Sequence, residues 1–182
     1  MNDFHTHNLD ALPGKAIINL PAEALLHPDS FTFRPGCLYS AGIHPWWTDA
    51  AENIPGFIEG LRRIAAHPQV VAIGECGFDR LRGDLRLQEE IFPLHIEIAE
   101  AHQKPVTLHC VRAFDLLLAA RKRLQPTTQW TVHGFRGKPS LARQLLEAGL
   151  DLSFGQHYNA ESFEITPPQR RHRETDDGHN PI

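Results

Sequence analysis

Short apolar runs rich in β-branched residues alternate along the chain with longer segments whose apolar residues recur at helical spacing. Such alternation is typical of strand and helix units built around a parallel sheet. Because eight parallel strands suffice to close a sheet on itself, the pattern predicts an α/β barrel. The predicted strands cover residues 3–7, 16–20, 38–43, 70–75, 106–109, 130–133, 150–154 and 171–176.

Four of the intervening segments show a helical period, and one of them contains a proline. The helical pattern covers residues 54–67, 84–103, 111–124 and 140–150. Pro93 lies inside the second segment, where its missing N–H and its ring predict a kink or a restart of the helix.

The eighth predicted strand differs from the others because it is rich in arginine, which is not among the residues that favour strands. Strand alternation directs His172, Glu174 and Asp176 towards the barrel axis. The same alternation directs Arg171 and Arg173 outwards. No helix follows in the sequence to cover these two arginines, so we expect them to meet solvent.

The composition is that of a globular protein. The chain has 182 residues, of which 41% are hydrophobic and 22% charged, and we interpret residues 1–182 as one domain. Its apolar runs are too short to span a bilayer, so no membrane association is expected. The start of the chain lacks the regions of a signal peptide, and Cys37, Cys76 and Cys110 form no CxxC pair. We therefore expect a cytoplasmic protein with reduced thiols.

Side chains able to bind a metal stand at the ends of the predicted strands. His5 and His7 share one face of the first strand, because strand side chains alternate. Later strands end in four further candidates: Glu75, His109, His133 and Asp176. Since the carboxyl ends of barrel strands converge on one small volume, all six side chains are predicted to meet there. Taken singly, His109 and His133 also fit hydrogen-bonded core histidines.

The position of Glu75 favours the metal interpretation. An ionised carboxylate at the end of an apolar run is costly unless a cation or strong donors compensate its charge. Four histidines and two carboxylates suffice for two divalent ions, with Glu75 able to bridge them. The formal net charge of −4 agrees, because a phosphate-bearing substrate would need local positive charge. The histidines predicted not to be ligands are His27, His67, His95, His102, His157 and His179.

Six short motifs occur in an order and spacing that point to one family. They read FHTH, AGIHPWW, IGECGFD, LQEEIFPLHIEIAEAHQKPVTLHC, VHGFRG and ETD. Through these motifs the sequence resembles the TatD-type metal-dependent hydrolases of the amidohydrolase-like superfamily. The resemblance implies a TIM-like (β/α)8 barrel and two divalent ions, which zinc, manganese or magnesium would satisfy. It also implies hydrolysis of phosphodiesters in DNA, in the manner of a deoxyribonuclease.

The resemblance further implies roles for individual residues. His44 and Asp79 match family positions near the site, and together with Arg136 they are predicted to contact substrate. Asp176 is expected to orient the attacking water and to accept its proton. Glu75 is expected to act as the bridging carboxylate. The residues that match the family's metal ligands are His5, His7, Glu75, His109, His133 and Asp176.

The sequence also departs from the family pattern. The family shows H-S/T-R where this chain reads HCVR, so Arg112 lies one place later than the usual arginine. Arg136 stands where a small residue is common and would add a phosphate contact. The family's closing C-terminal helix is missing, so we expect a compact barrel, as a monomer or completed in a homodimer. Trp46 and Trp47, at the predicted barrel mouth, fit structural packing and stacking on a substrate base equally well.

The predicted function is hydrolysis of phosphodiester bonds by a divalent-metal-dependent enzyme, with DNA as the expected partner. Two alternatives stay open. An enzyme with the same set of metal ligands would hydrolyse a small amide, lactone or ester, because barrel loops rather than metal ligands select the substrate. A truncated barrel with a degraded site would instead have a binding or structural role.

Overall fold

In the computed structural model, which describes residues 3–178, eight parallel strands form one sheet in the order of the sequence. Each strand pairs in parallel with the next, so the predicted α/β barrel architecture is confirmed. The strands are β1 (Asp3–Thr6), β2 (Ala16–Asn19), β3 (Leu38–Ala41), β4 (Val70–Asp79), β5 (Val106–Val111), β6 (Trp130–Val132), β7 (Asp151–Phe154) and β8 (Arg171–Arg173).

From β2 onwards, each strand is connected to the next by at least one helix. Over the described range they are α1 (Ala22–Leu26), α2 (Ile54–Ile64), α3 (Leu85–His102), α4 (Phe114–Leu124), α5 (Pro139–Glu147) and α6 (Ala160–Ile165), with 3-10 turns at Pro45–Asp49, Ala51–Asn53 and Pro168–Arg170. The four predicted helical segments are present, and α3 continues through Pro93 without a restart. The short α1 and α6 contain too few turns to show a period in the sequence. None of the helices in residues 3–178 is both long and apolar enough to cross a membrane.

The apolar core lies between the sheet and the helices. Phe57, Leu61 and Ile64 of α2 are buried, because they recur on one face of that helix. From α3, the buried Phe92 packs edge-on against Trp130 of β6, with ring centres 5.4 Å apart. This packing fixes the strands, and it therefore fixes the side chains that their carboxyl ends present.

The barrel is closed between β1 and the segment that follows β8. The backbone N–H of His7 donates to the carbonyl of Asp177 at 2.8 Å, and the N–H of Asp176 donates to the carbonyl of His5 at 3.1 Å. The two ends of the described chain thus meet at the residues that carry candidate ligands.

β8 is shorter than the predicted strand, because it ends at Arg173 rather than at residue 176. Glu174 and Thr175 already lie outside the strand, and Asp176 has a φ of 56°, a left-handed conformation that does not occur within a regular strand. Arg173 is exposed, as expected, yet the guanidinium groups of Arg171 and Arg173 also pack 4.1 and 4.2 Å from the ring centre of Phe163 in α6. Cation–π contacts with the preceding helix therefore cover arginines that were expected to meet only solvent.

A buried histidine ties α3 to the loop after β3. His95 Nε2 accepts a hydrogen bond from the backbone N–H of Ile43 at 2.9 Å, and Nδ1 donates to the carbonyl of Ile91 at 3.1 Å. This arrangement requires a neutral ring, and burial lowers the pKa of His95 to about 4. Because Ile43 precedes His44, the bond also sets the position of a residue in the candidate site.

The buried His95 predicts a loss of stability in mild acid. In the unfolded chain its pKa returns to about 6.5, so below that pH the unfolded chain binds a proton that the folded chain excludes. Between pH 7.5 and pH 4.5 this difference is expected to lower the free energy of unfolding by roughly 2 to 3 kcal/mol. In His95→Gln, whose amide oxygen still accepts from Ile43 but does not titrate, the loss should be smaller by that amount. Urea unfolding of the metal-free proteins at pH 7.5 and pH 4.5 measures this change in the free energy of unfolding.

The matched control is His102→Gln, on the exposed face at the end of the same helix. This variant should keep the pH dependence of the wild-type protein. Equal pH dependence in wild type and His95→Gln would show that His95 is not the group responsible.

Candidate metal centre

Glu75 lies at the centre of the site, on a strand that approaches its neighbour very closely. A Cβ atom on Gly77 would lie 2.1 Å from the carbonyl oxygen of His109, and one on Gly74 would lie 2.3 Å from that of Thr107. Both glycines have a positive φ, near 140°, which other residues rarely adopt. Glycine on either side of Glu75 therefore lets β4 press against β5 and bury the carboxylate, which is 1% exposed.

One oxygen of Glu75 faces the histidines of the first strand. Glu75 Oε2 lies 3.2 Å from Nε2 of His5 and 3.2 Å from Nε2 of His7, and these nitrogens are themselves 3.2 Å apart. Asp176 Oδ1 lies 3.7 and 3.5 Å from the same two nitrogens. Ligands bound at about 2.1 Å to one ion stand roughly 3.0 to 3.4 Å from each other in octahedral or tetrahedral geometry. The spacing of His5, His7 and Glu75 fits one divalent ion.

The other oxygen of Glu75 faces a second set of histidines. Glu75 Oε1 lies 2.7 Å from Nδ1 of His109 and 2.7 Å from Nε2 of His133. It also lies 3.1 Å from Nε2 of His44. The two oxygens of one buried carboxylate are thus divided between the two histidines at the end of β1 and three others, of which His109 lies in β5 while His44 and His133 follow β3 and β6.

Asp79 orients His109. Its Oδ2 lies 3.0 Å from His109 Nε2 and accepts the indole N–H of Trp46 at 2.7 Å, while Oδ1 accepts the backbone N–H of Leu81 at 2.8 Å. A proton on His109 Nε2 leaves the Nδ1 lone pair directed at the centre, which is how a second carboxylate commonly fixes a histidine ligand. Burial would raise the pKa of Asp79, but the bonds from His109 and Trp46 lower it to about 2. Both oxygens are engaged by protein groups, which favours a positioning role over substrate contact.

Glu174 has the corresponding position beside His133. Its Oε1 accepts the backbone N–H of Gly134 at 2.6 Å and lies 3.4 Å from His133 Nδ1, which leaves His133 Nε2 facing Glu75. Strand alternation already directs Glu174 inwards, but its partner is visible only in three dimensions.

His44 is placed to donate rather than to bind a cation. Its Nδ1 accepts the backbone N–H of Trp46 at 3.1 Å, so the proton of the neutral ring is on Nε2, which faces Glu75. A nitrogen that carries a proton has no lone pair for a metal. His44 therefore stabilises the charge of Glu75, although its donor atom lies within 4.8 Å of those of Glu75 and His109.

Unsatisfied polar atoms show where a cation would fit. Among the described residues, Glu75 Oε2 and Asp176 Oδ1 are buried without a hydrogen-bond partner. Oxygens this close to imidazole nitrogens, yet outside hydrogen-bonding geometry, are suited to share a cation with them. The clusters whose donor atoms lie within 4.8 Å of one another are His5, His7 and Glu75; His5, His133 and Asp176; and His44, Glu75 and His109.

The electrostatics of the site demand positive charge. Burial would raise the pKa of Glu75, but its interactions with His133, His44 and His109 hold it well below its usual value. Burial would lower the pKa of His133, but Glu75 and Glu174 raise it well above its usual value. Protons on imidazoles and divalent cations satisfy the same demand, so cation binding and proton binding compete.

A basic cavity adjoins one side of the centre. It has a volume of about 360 Å³ and is bordered by His109, His133 and Asp176 together with Arg112 and Arg136. Arg112 has a φ of 52°, so the shifted arginine sits at a turn directly after β5. Both arginines are therefore available next to the donor atoms, on the same side of the barrel.

The fold and the site define an α/β barrel with a candidate metal centre at the carboxyl ends of its strands. The family model described as TatD-related DNase matches residues 30–177, and the chain belongs to this family. The resemblance seen in the six motifs is confirmed. His5 and His7 precede the matched residues, so they join the site on geometry alone.

Curated relatives are identical to this chain at about a third of the aligned positions. The 3'-5' ssDNA/RNA exonuclease TatD of Klebsiella pneumoniae is 37% identical over 118 residues, which cover 63% of this chain and 44% of that protein. The uncharacterized metal-dependent hydrolase YcfH of Escherichia coli is 34% identical over 125 residues, covering 66% and 45%. The chain spans about half the length of the curated relatives it matches.

Solved structures share the fold at low sequence identity. The TatD homolog YJJV of Escherichia coli superimposes with a TM-score of 0.75 at 21% identity, covering 96% of this chain and 78% of that chain. A TatD family hydrolase of Entamoeba histolytica gives 0.68 at 21% identity, covering 88% and 60%. These likenesses confirm the predicted TIM-like barrel.

The structure brings together most of the residues predicted from the sequence. The six predicted ligands converge, His44 and Asp79 join them through hydrogen bonds, and Arg136 stays at the rim. The predicted non-ligand His179 lies outside the described residues. Sequence reasoning missed Asn19, whose Oδ1 accepts the backbone N–H of Glu75 at 2.8 Å. A polar residue at the end of the apolar run of β2 was the available signal.

Substitution of Asp79 tests the orientation of His109. Because all three partners of its carboxylate are donors, an asparagine must turn its amide N–H towards one of them. We expect Asp79→Asn to weaken binding of a divalent cation about 10- to 100-fold, the usual effect of losing such a partner. Titration of metal-free protein with zinc or manganese, followed by calorimetry, measures the affinity.

The control is Asp10→Asn, on the exposed loop after β1, which should bind the cation as wild type does. Wild-type affinity in Asp79→Asn would rule out the positioning role.

Proposed function

We propose that this protein is a divalent-metal-dependent hydrolase that cleaves phosphodiester bonds in nucleic acid, with DNA as the expected substrate. The observation that carries the proposal is the division of the two oxygens of Glu75 between separate histidine sets. Family membership supports it. The relatives named as ssDNA/RNA exonucleases make single strands of either kind the first substrates to test.

The residues that would hold two cations follow from the same geometry. His5, His7 and Asp176 would bind one ion, and His109 and His133 the other, with Glu75 between them. Bound divalent cations supply positive charge for the phosphate oxygens and lower the pKa of a water molecule. Zinc, manganese and magnesium all remain compatible with this mixture of imidazole and carboxylate donors.

Asp176 would act as the proton acceptor. Its side chain is 34% exposed, so it meets solvent at the mouth of the site, while Oδ1 is buried beside His5 and His7. A carboxylate in this position orients a water molecule on one side and takes its proton during attack on phosphorus. Glu75 has no such access to solvent, which assigns it to holding charge rather than to moving protons.

Arg112 and Arg136 would bind the phosphates that flank the scissile bond. The chain carries a net charge of −4, so attraction of a polyanion depends on local positive groups. The cavity that these arginines border also contains His133 and Asp176, which places bound phosphates next to the reacting groups. Guanidinium groups suit this task because they donate two parallel hydrogen bonds to one phosphate.

The proposal extends to the domain organisation, the compartment and the oligomeric state of the protein. One continuous sheet from β1 to β8 supports a single domain. Three free cysteines support a reducing compartment such as the cytoplasm. Sedimentation velocity would separate the monomer from the homodimer.

Replacement of Asp176 tests its role as the base. Asp176→Asn keeps the shape but removes the proton acceptor, so kcat on a single-stranded DNA oligonucleotide should fall at least about 100-fold. The control is the exposed neighbour, Asp177→Asn, which should retain wild-type kcat. Undiminished kcat in Asp176→Asn at full metal content would contradict the assignment.

Replacement of Glu75 tests the two-cation site. In Glu75→Gln the buried charge is lost, so bound metal per chain should drop below two ions and DNA hydrolysis should fall at least about 100-fold. Elemental analysis and a nuclease assay measure both quantities. The wild-type enzyme should be assayed in parallel on DNA, RNA, an amide and a lactone. Cleavage of only the amide or lactone would refute the nuclease proposal, and absence of both metal and hydrolysis in wild type would favour a binding role.

A further inference from the structure

A second and larger cavity lies on the other side of the centre. It has a volume of about 560 Å³, within the range of pockets that enclose small organic ligands. His7 and His44 form part of its wall, so an occupant lies directly beside the candidate metal centre. We propose that this cavity binds the base of the nucleotide whose phosphate is cleaved, an inference that rests on the proposed function.

The wall of the cavity suits a flat aromatic ligand. Trp46, Trp47 and Phe57 line it together with Leu9 and Leu20. Trp47 is held in place by Phe57, whose ring lies 5.2 Å away at an interplanar angle of 28°. An indole fixed in this way loses little freedom when a base packs against it, and stacking on aromatic rings accepts any base.

Trp46 links this wall to the metal centre. Its indole N–H is fixed on Asp79 at 2.7 Å, and Asp79 also holds His109. The guanidinium carbon of Arg82 lies 3.8 Å from the Trp46 ring centre, at the cavity rim. The tryptophan wall and the histidine ligands therefore keep a constant position relative to each other.

The charges of the two cavities differ, and this difference assigns their ligands. The larger cavity is lined by two acidic residues, Glu23 and Asp49, and its single arginine, Arg82, is packed on Trp46. The smaller cavity is lined by two arginines, Arg112 and Arg136, and by one acidic residue, Asp176. Since carboxylates repel phosphate and accept hydrogen bonds from base amino groups, the base belongs in the larger cavity and the phosphate chain in the smaller one. A nucleotide bound across the centre would then have a defined direction.

An ordinary nuclease assay combines two contributions, binding of the base and reaction at the phosphate, and small substrates with and without a base separate them. The test uses three esters of p-nitrophenol: thymidine 5'-phosphate, thymidine 3'-phosphate and methyl phosphate. The methyl ester has the reacting phosphate but no base. Trp47→Ala should lower kcat/KM roughly tenfold on the one thymidine ester, 5' or 3', that places its base in the cavity. This is the loss expected for one stacked base. On the methyl ester the change should stay below about twofold.

Matched variants guard against a merely structural effect. Trp47→Phe retains a stacking ring and should keep most of the activity on the thymidine ester. Leu12→Ala removes an exposed apolar side chain that is not part of the cavity wall, and it should leave all three rates unchanged.

Product inhibition gives a second readout. In Trp47→Ala, inhibition by the thymidine monophosphate of the affected ester should weaken roughly tenfold, while inhibition by inorganic phosphate should not change. Constant inhibition by phosphate would also show that the variant is folded with its metal centre intact.

The outcomes are distinct. If wild type cleaves none of the esters, the proposed phosphodiesterase function fails and the base site fails with it. If wild type cleaves them and Trp47→Ala affects all three equally or none, only the base site is overturned.

Discussion

The site depends on one buried negative charge. A carboxylate as inaccessible as that of Glu75 is tolerated only if cations or donors surround it, because desolvation of an isolated charge costs several kcal/mol. Imidazoles from three strand ends and one loop converge on it for this reason. The glycines on either side of Glu75 contribute to the same arrangement, since they let β4 come close enough to β5 to place the carboxylate among the imidazoles.

A second ring of interactions decides what each imidazole does. Asp79 and Glu174 lie behind His109 and His133, and each leaves the opposite ring nitrogen directed at the centre. His44 has the opposite arrangement. Its Nδ1 accepts a backbone N–H, so its Nε2 carries the proton and faces the centre as a donor. The histidine rings therefore divide into candidate cation ligands and a proton donor according to the contact that the second ring nitrogen makes.

Much of this arrangement could be predicted from the sequence. The candidate ligands Glu75, His109 and His133 are recognisable because each ends an apolar run, and strand ends meet in a parallel barrel. The roles of His44 and Glu174 could not be read in that way, since they depend on ring orientation and on neighbours distant in sequence. The end of β8 also escaped prediction. Its arginines are covered by Phe163 of the preceding helix, a contact that has no periodic signature.

The closure of the barrel between β1 and the segment after β8 has a consequence for folding. Thr6 and Asp177, joined there by a hydrogen bond from the Thr6 hydroxyl, are 171 positions apart in the chain. Contacts of such long range have a large loop-closure entropy to overcome, so they form late, after the intervening strands have paired. His5, His7 and Asp176 lie at this seam. A partly folded chain therefore has no complete set of donors, and the candidate metal centre forms only with the final step of barrel assembly.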